Sequence, residues 1–285
     1  MTDRLGVFPL KASALEELFS TSRVLLGVVH SLPLPGSPQY KGQPLAEVYR
    51  FAVEEARTYR EGGFHGVIVE NAWDLPFARP NDLGFETAAC MAVMADHVHE
   101  QVGLPVGVNV LANGALCALA AAQAGQAGFI RVNQWVNAYV ANEGLLDGAS
   151  PAATRYRARL RADHIKVFVD VHVKHGSHSI VADRTLSEQT QDAEFFDADV
   201  LIATGSRTGG QTPLEEVRGI KETTQLPVVI GSGMTEANAA ELLAACDGAI
   251  VASSLKDNER WWGRVDATKV KAFAERARGV GYESP

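Results

Sequence analysis

Seven polar or ionisable residues, His30, Glu70, Asn109, Arg131, Asp170, His172 and Thr204, stand at or just beyond the ends of short apolar runs rich in β-branched residues. A strand buried on both faces is apolar throughout, so a polar group at its exit needs a reason. Proton-transfer chemistry supplies one. Glu70 and Asp170 are carboxylates suited to act as bases, and His172 or His30 would pass the proton on. Lys174 would steady a developing negative charge or, if buried, form a Schiff base. Asn109, Arg131, Asn133 and Thr204 would hold the substrate among them. Glu70, Asp170, His172 and His175 also include suitable ligands for a divalent metal, the one cofactor these residues leave open. Their spacing matches no closed zinc motif, and H-E-x-x-H is absent.

A second group has the composition of an anion seat. In Gly231-Ser232-Gly233, glycines let backbone N–H groups approach an oxyanion, and a helix follows with its partial positive charge. Ser253-Ser254-Leu255-Lys256 lies after the last apolar run, where two hydroxyls and Lys256 would complete a phosphate cradle. Gly205 opens a flexible stretch, Gly205–Gly210, placed to close over the ligand.

Positioning these residues requires strands that all point the same way. The apolar runs are Val24–His30, Gly66–Asn71, Val106–Val110, Phe129–Asn133, Ile165–Val171, Val200–Thr204, Val228–Gly231 and Ala249–Ser253. Helical stretches alternate with them, near residues 45–61, 85–101, 115–124, 151–160, 187–196, 213–222, 236–245 and 267–278. Eight βα units fit a (β/α)8 TIM barrel spanning 1–285 as a single domain. An open sheet binding a dinucleotide is disfavoured because no G-x-G-x-x-G follows the first run. A short amphipathic helix with Leu15, Leu18 and Phe19 on one face would close the barrel bottom. Alternation of strand side chains sends His30, Glu70, Asn109, Arg131 and Asn133 inward, with Asp170, His172 and Lys174 sharing one face.

The chain carries 26 basic and 34 acidic residues, for a formal charge of -8, with the signs interspersed. That argues against a nucleic-acid surface while permitting a local anion site. Three scattered cysteines, Cys90, Cys117 and Cys246, form no CxxC pair and read as small hydrophobes in a reducing compartment. The absence of a secretory pattern and of a spanning apolar run makes cytoplasm the expected location, without stable membrane insertion. Trp261-Trp262, or Trp135 and Tyr139, would provide a protein contact if exposed. A homo-oligomer is left open.

Several segments resemble the BtpA family, which includes photosystem I biogenesis proteins and SgcQ-like sugar-operon proteins. They include residues 27–38 (GVVHSLPLPGSP), Glu61-Gly62-Gly63, residues 66–71 (GVIVEN), Pro76-Phe77, residues 105–111 (PVGVNVL), residues 129–133 (FIRVN), residues 170–175 (DVHVKH), Thr204-Gly205, Gly231-Ser232-Gly233 and residues 253–256 (SSLK). The resemblance implies a TIM barrel related to phosphate-binding barrels and supplies no firm reaction. Two departures stand out. Ala112-Asn113 replaces an Arg-Asn pair, removing one cation from the rim. Residues 134–139 (QWVNAY) replace a smaller stretch, implying an altered substrate pocket. The expected function is an enzyme acting on a small phosphorylated sugar or related metabolite by lyase, isomerase or epimerase chemistry. The alternatives are a metal-assisted phosphatase or nucleosidase-like hydrolase, and a non-catalytic assembly factor.

Overall fold

The computed structural model describes residues 11–205 and 210–285, together with the backbone of residues 2–3 and 8–9. Eight parallel strands form a closed barrel: β1 Val24–His30, β2 Gly66–Glu70, β3 Val106–Asn109, β4 Phe129–Val132, β5 Lys166–Asp170, β6 Val200–Ala203, β7 Val228–Ile230 and β8 Gly248–Val251. Neighbours in sequence are neighbours in space, and β8 pairs with β1 to complete the ring. The helices are α1 Ala14–Phe19, α2 Leu45–Glu61, α3 Phe85–Val102, α4 Ala115–Ala124, α5 Ser150–Arg159, α6 Leu186–Phe195, α7 Leu214–Thr223, α8 Glu236–Leu243 and α9 Ala267–Arg278. None of the described helices is long and apolar enough to cross a membrane. The expected TIM barrel is therefore the observed fold.

Strand alternation divides the core into two apolar layers. Val67, Val69, Val106, Val108, Val167 and Val169 face outward into one cluster with residues of the helices. Val24, Leu26, Val28, Ile68, Phe129, Phe168, Ile202, Val229 and Ile250 fill the barrel interior. Leu15 of α1 is buried in that inner cluster, and Leu18 and Phe19 pack against it. The short helix thus plugs the bottom as expected. The Phe129 and Phe168 rings stack at 4.5 Å, and Phe19 meets Phe129 edge-on at 5.8 Å.

Gly107 makes room for this aromatic stack, since a Cβ at that position would overlap the Phe129 ring. The ring is hemmed in by Phe168 and Phe19 and has little freedom to yield. Gly107→Ala is expected to destabilise the fold by about 1–3 kcal/mol through overpacking. Urea unfolding would register a lower midpoint at unchanged slope.

Two features were not anticipated. Residues Ala138–Ala141 and Gly144–Asp147 form an antiparallel hairpin rather than a long loop. It is tied to the loop after β5 by reciprocal backbone hydrogen bonds between Val140 and Ser177. The chain also makes a single 3-10 turn at Ser253–Leu255 directly after β8. Six of the eight strands end one residue before their apolar runs, because the last residue of those runs already turns into a loop.

Candidate active site

The strand register itself assembles the site. His30 pairs with Glu70, Glu70 with Asn109 and Asn109 with Arg131, so one continuous row crosses β1 to β4 at the C-terminal rim. All four side chains line a cavity of about 590 Å³ in the barrel mouth. That is ample for a small metabolite. Asn133, Lys174, His175, Gly231, Ser232, Gly233, Ser253 and Ser254 line the same cavity.

Glu70 and His30 face each other across a narrow gap. Glu70 Oε2 accepts a hydrogen bond from Asn109 Nδ2 (2.7 Å), while Oε1 lies 3.6 Å from His30 Nε2. The other imidazole nitrogen, Nδ1, donates to the Trp261 carbonyl at 2.6 Å. This bond fixes the tautomer and leaves Nε2 as an acceptor. Burial, followed by the charge of Lys256, holds His30 down to a pKa of about 4, so the ring is neutral at physiological pH. Two proton acceptors therefore share one gap. Trp261 also meets His30 edge-on at 5.9 Å and packs against Trp73 at 4.9 Å. It is delivered by Asn258 and Glu259, consecutive non-glycine residues at positive φ (52° and 56°), an uncommon and strained backbone. Trp261 is thus a wall of the cavity, and of the Trp261-Trp262 pair only Trp262 is well exposed. Trp135 and Tyr139, expected as surface contacts if exposed, are both buried. The Trp135 indole donates to the Phe196 carbonyl, and Tyr139 in the hairpin covers the cavity.

On the opposite side Arg131 grips Asp170. Nε donates to Oδ1 and Nη2 to Oδ2, both at 3.1 Å, and Asn133 Nδ2 also donates to Oδ2. This corrects the reading of Asp170 as a base. Its carboxylate is fully buried, does not line the cavity, and spends its lone pairs orienting a cation. Arg131 Nη2 also lies close under Gly231, bringing the guanidinium to the base of the glycine turn. The buried carbonyl oxygens of Asn109 and Asn133 have no hydrogen-bond partner among the described residues. Since both residues line the cavity, these oxygens suit a ligand rich in hydroxyl donors.

Four further expectations are corrected. His172 does not continue the alternation inward, because β5 ends at Asp170 and the chain bends at 171–172. Its ring instead lies against His178, with centroids 3.7 Å apart, outside the cavity lining. Thr204 and Gly205 are not free to hold a ligand either. Their backbone N–H groups donate to Glu216 Oε1 at 3.2 Å, and the Thr204 hydroxyl donates to the His172 carbonyl. Lys256 turns away from the cradle because the 3-10 turn directs it back toward α2, where it lies 3.7 Å from buried Glu55. The expected closure by Gly205–Gly210 falls largely on residues 206–209, outside the described residues. Gly210 nevertheless packs on Gly233, whose φ of +71° and lack of room for a Cβ both demand glycine.

The suggested metal set divides in the same way. Glu70 and His175 line the cavity, Asp170 is committed to Arg131, and His172 lies elsewhere. Among the described residues no group of three or more His, Cys, Asp or Glu side chains is arranged to hold a metal ion.

The residues that brace the rim were not singled out from sequence. Asn71 receives the Leu111 N–H and donates to the Leu111 carbonyl and to Asp74. Asp74 also accepts from the Leu34 N–H, and the Ser37 hydroxyl donates to the Trp73 carbonyl. The proline-rich loop after β1 is thereby fastened to the loops after β2 and β3. Asn71 and Asp74 lie only three positions apart, the spacing of a local turn, but nothing in the sequence identifies their distant partners.

Comparison with other proteins places this geometry. The sequence matches the BtpA family over residues 21–279. The chain belongs to the BtpA family. An uncharacterized protein of Archaeoglobus fulgidus is 40% identical over 257 residues, covering 90% of this chain and 99% of its own. The photosystem I biogenesis protein BtpA of Synechocystis is 36% identical over 269 residues, covering 94% and 92% respectively. Among solved structures, (S)-3-O-geranylgeranylglyceryl phosphate synthase from Thermoplasma acidophilum, in complex with sn-glycerol-1-phosphate, superposes with a TM-score of 0.59 at 15% identity. That comparison covers 95% of this chain and all of the other, and the likeness is one of fold.

Proposed function

We propose that this BtpA-family barrel is an enzyme acting on a small phosphorylated sugar or a related phosphorylated metabolite, by proton transfer of the lyase, isomerase or epimerase type. The observation that carries the reading is the gap between His30 Nε2 and Glu70 Oε1, two acceptors 3.6 Å apart in a buried mouth. A substrate proton entering that gap is taken by Glu70 or His30. The negative charge left on the substrate oxygen faces Arg131, which Asp170 and Asn133 hold in place. The phosphate rests on Gly231-Ser232-Gly233 and the Ser253–Leu255 turn. This is the position after strands seven and eight where such barrels commonly bind phosphate. A cytoplasmic setting fits this chemistry.

The test is ligand-induced stabilisation. Inorganic phosphate and a panel of sugar phosphates are expected to raise Tm, with about 2.7 kcal/mol gained at a hundredfold excess over Kd. Ser253→Asp would place a carboxylate in the seat and abolish the gain while leaving the unliganded Tm near its original value. If no phosphate ester stabilises the chain more than its unphosphorylated parent, the phosphate reading falls.

A second reading draws on the outer surface of the hairpin. Val140, Leu145 and Ile180 are exposed there, at 47, 48 and 57%. A non-catalytic assembly role, which we set beside the biogenesis named in the Synechocystis relative, would use such apolar surface and tolerate loss of Glu70.

A further inference from the structure

We propose that the Lys174 amine is a nucleophile that forms an imine with the carbonyl carbon of an aldehyde or ketone bound in the barrel mouth. The inference rests on the proposed reading of the cavity as a site for phosphorylated metabolites and names the functional group they would carry.

The first support is how firmly the backbone around Lys174 is held. The Val171 N–H donates to the Ile202 carbonyl at 3.1 Å. The His172 carbonyl accepts the Thr204 hydroxyl at 3.1 Å, and the Val173 carbonyl lies 2.7 Å from His178 Nε2. The Val173 side chain is buried among Ala112, Tyr139 and Leu146. Three successive residues are thus fixed, and the next side chain enters the cavity. Such bracing is unnecessary for a solvated surface lysine but is what a reacting group requires.

The second support is the absence of an ion partner. Lys174 makes no salt bridge or hydrogen bond among the described residues. Asp170 is already taken by Arg131 and Asn133, while Glu70 is held by Asn109 and faces His30. Lys256 provides the contrast, because it is fully buried and has Glu55 beside it, whereas Lys174 is half-buried at the cavity wall without such a partner. Lys166 opens β5 at the opposite end of the barrel and pairs with Glu17. Burial, and then the neighbouring Arg131 charge, lower the Lys174 pKa to about 8. Roughly a tenth of the amine is therefore neutral at pH 7, far more than for an ordinary lysine. Arg131 already supplies the permanent cation, so a second, readily deprotonated one is not needed for anion binding.

The step balances without a further reactant. The neutral amine nitrogen bonds to the carbonyl carbon as the C=O π pair moves to oxygen. The carbinolamine oxygen then leaves as water with the two amine hydrogens, leaving C=N. A proton taken from solvent converts that imine to an iminium, which withdraws electrons from the adjacent carbon, and the proton released there has Glu70 and His30 as acceptors.

The test uses the full chain with glycolaldehyde phosphate and, separately, glycolaldehyde. Sodium cyanoborohydride reduces any imine to a stable amine, and peptide mass spectrometry locates it. Phosphate binding is measured in parallel by thermal shift. Labelling of Lys174 is expected at one equivalent, at least about tenfold faster at pH 8 than at the exposed Lys41. Its rate should rise with a midpoint near pH 8. Lys174→Arg and Lys174→Met should lose the adduct while retaining stabilisation by inorganic phosphate. Phosphate stabilisation without preferential labelling of Lys174 overturns the imine alone. Preferential labelling by both aldehydes without phosphate stabilisation supports the imine and overturns the phosphate reading. Failure of both overturns both.

Discussion

Arg131→Ala will cost the fold about 3–5 kcal/mol, because it leaves the Asp170 carboxylate buried without its charge partner. The Asp170 side chain has no solvent exposure and would keep only the Asn133 amide as a donor. Equilibrium urea unfolding measures the loss. Asp170→Asn strands the guanidinium and is expected to be destabilising for the converse reason. The double replacement Arg131→Met with Asp170→Leu should recover much of the loss, since removing both charges also removes their desolvation cost. That repaired chain should nevertheless lose stabilisation by phosphate esters, because the cation beneath Gly231 is gone. A loss below about 1 kcal/mol for Arg131→Ala would place the pair in the range of solvent-screened surface bridges and refute its role as a buried brace.

The same pair shows where sequence stops being informative. Its strand positions follow from period-two alternation, so Arg131 and Asp170 were both expected at the mouth. Alternation does not say that two inward residues on adjacent strands will satisfy each other rather than the ligand. That outcome depends on the parallel register, which sets Arg131 opposite Phe168 and carries Asp170 one inward layer higher. His172 marks the complementary limit. Period two holds only while the strand lasts, and one bend past Asp170 carries His172 out of the row while Lys174 still enters the cavity. Lys256 fails for a related reason, because the turn at Ser253–Leu255 redirects it toward Glu55. The barrel, the bottom plug and the row His30, Glu70, Asn109 and Arg131 were legible because each rests on local periodicity. The hairpin at 138–147, the Trp261 wall and the Asn71–Asp74 brace arise from long-range contacts, which no local pattern announces.

The row makes its own demand on catalysis. Glu70→Gln keeps the side-chain shape and an oxygen for Asn109 but removes the charged acceptor beside His30. Proton transfer is expected to slow by about 10²–10⁴-fold, the usual worth of a positioned general base. Exchange of deuterium from D2O into the carbon next to the carbonyl of dihydroxyacetone phosphate would measure this directly, provided that ligand raises Tm. The pH dependence follows from the neutral state of His30. With its folded pKa lowered from 6.5 to about 4, the ring stays an acceptor through the range where an ordinary histidine becomes charged. The acid limb contributed by His30 should therefore fall toward pH 4, so that His30→Gln leaves the shape of the exchange profile between pH 6 and 7 unchanged. His30→Gln cannot be protonated in this range and should remove that limb. The same depressed pKa works against stability in acid, since the unfolded chain binds the proton more readily below 6.5 and the loss grows as pH falls toward 4. Exchange must therefore be measured where circular dichroism shows the chain still folded. Exchange at the unaltered rate in Glu70→Gln would remove Glu70 as the base, and an acid limb near 6.5 that vanishes in His30→Gln would show that burial does not hold the ring neutral.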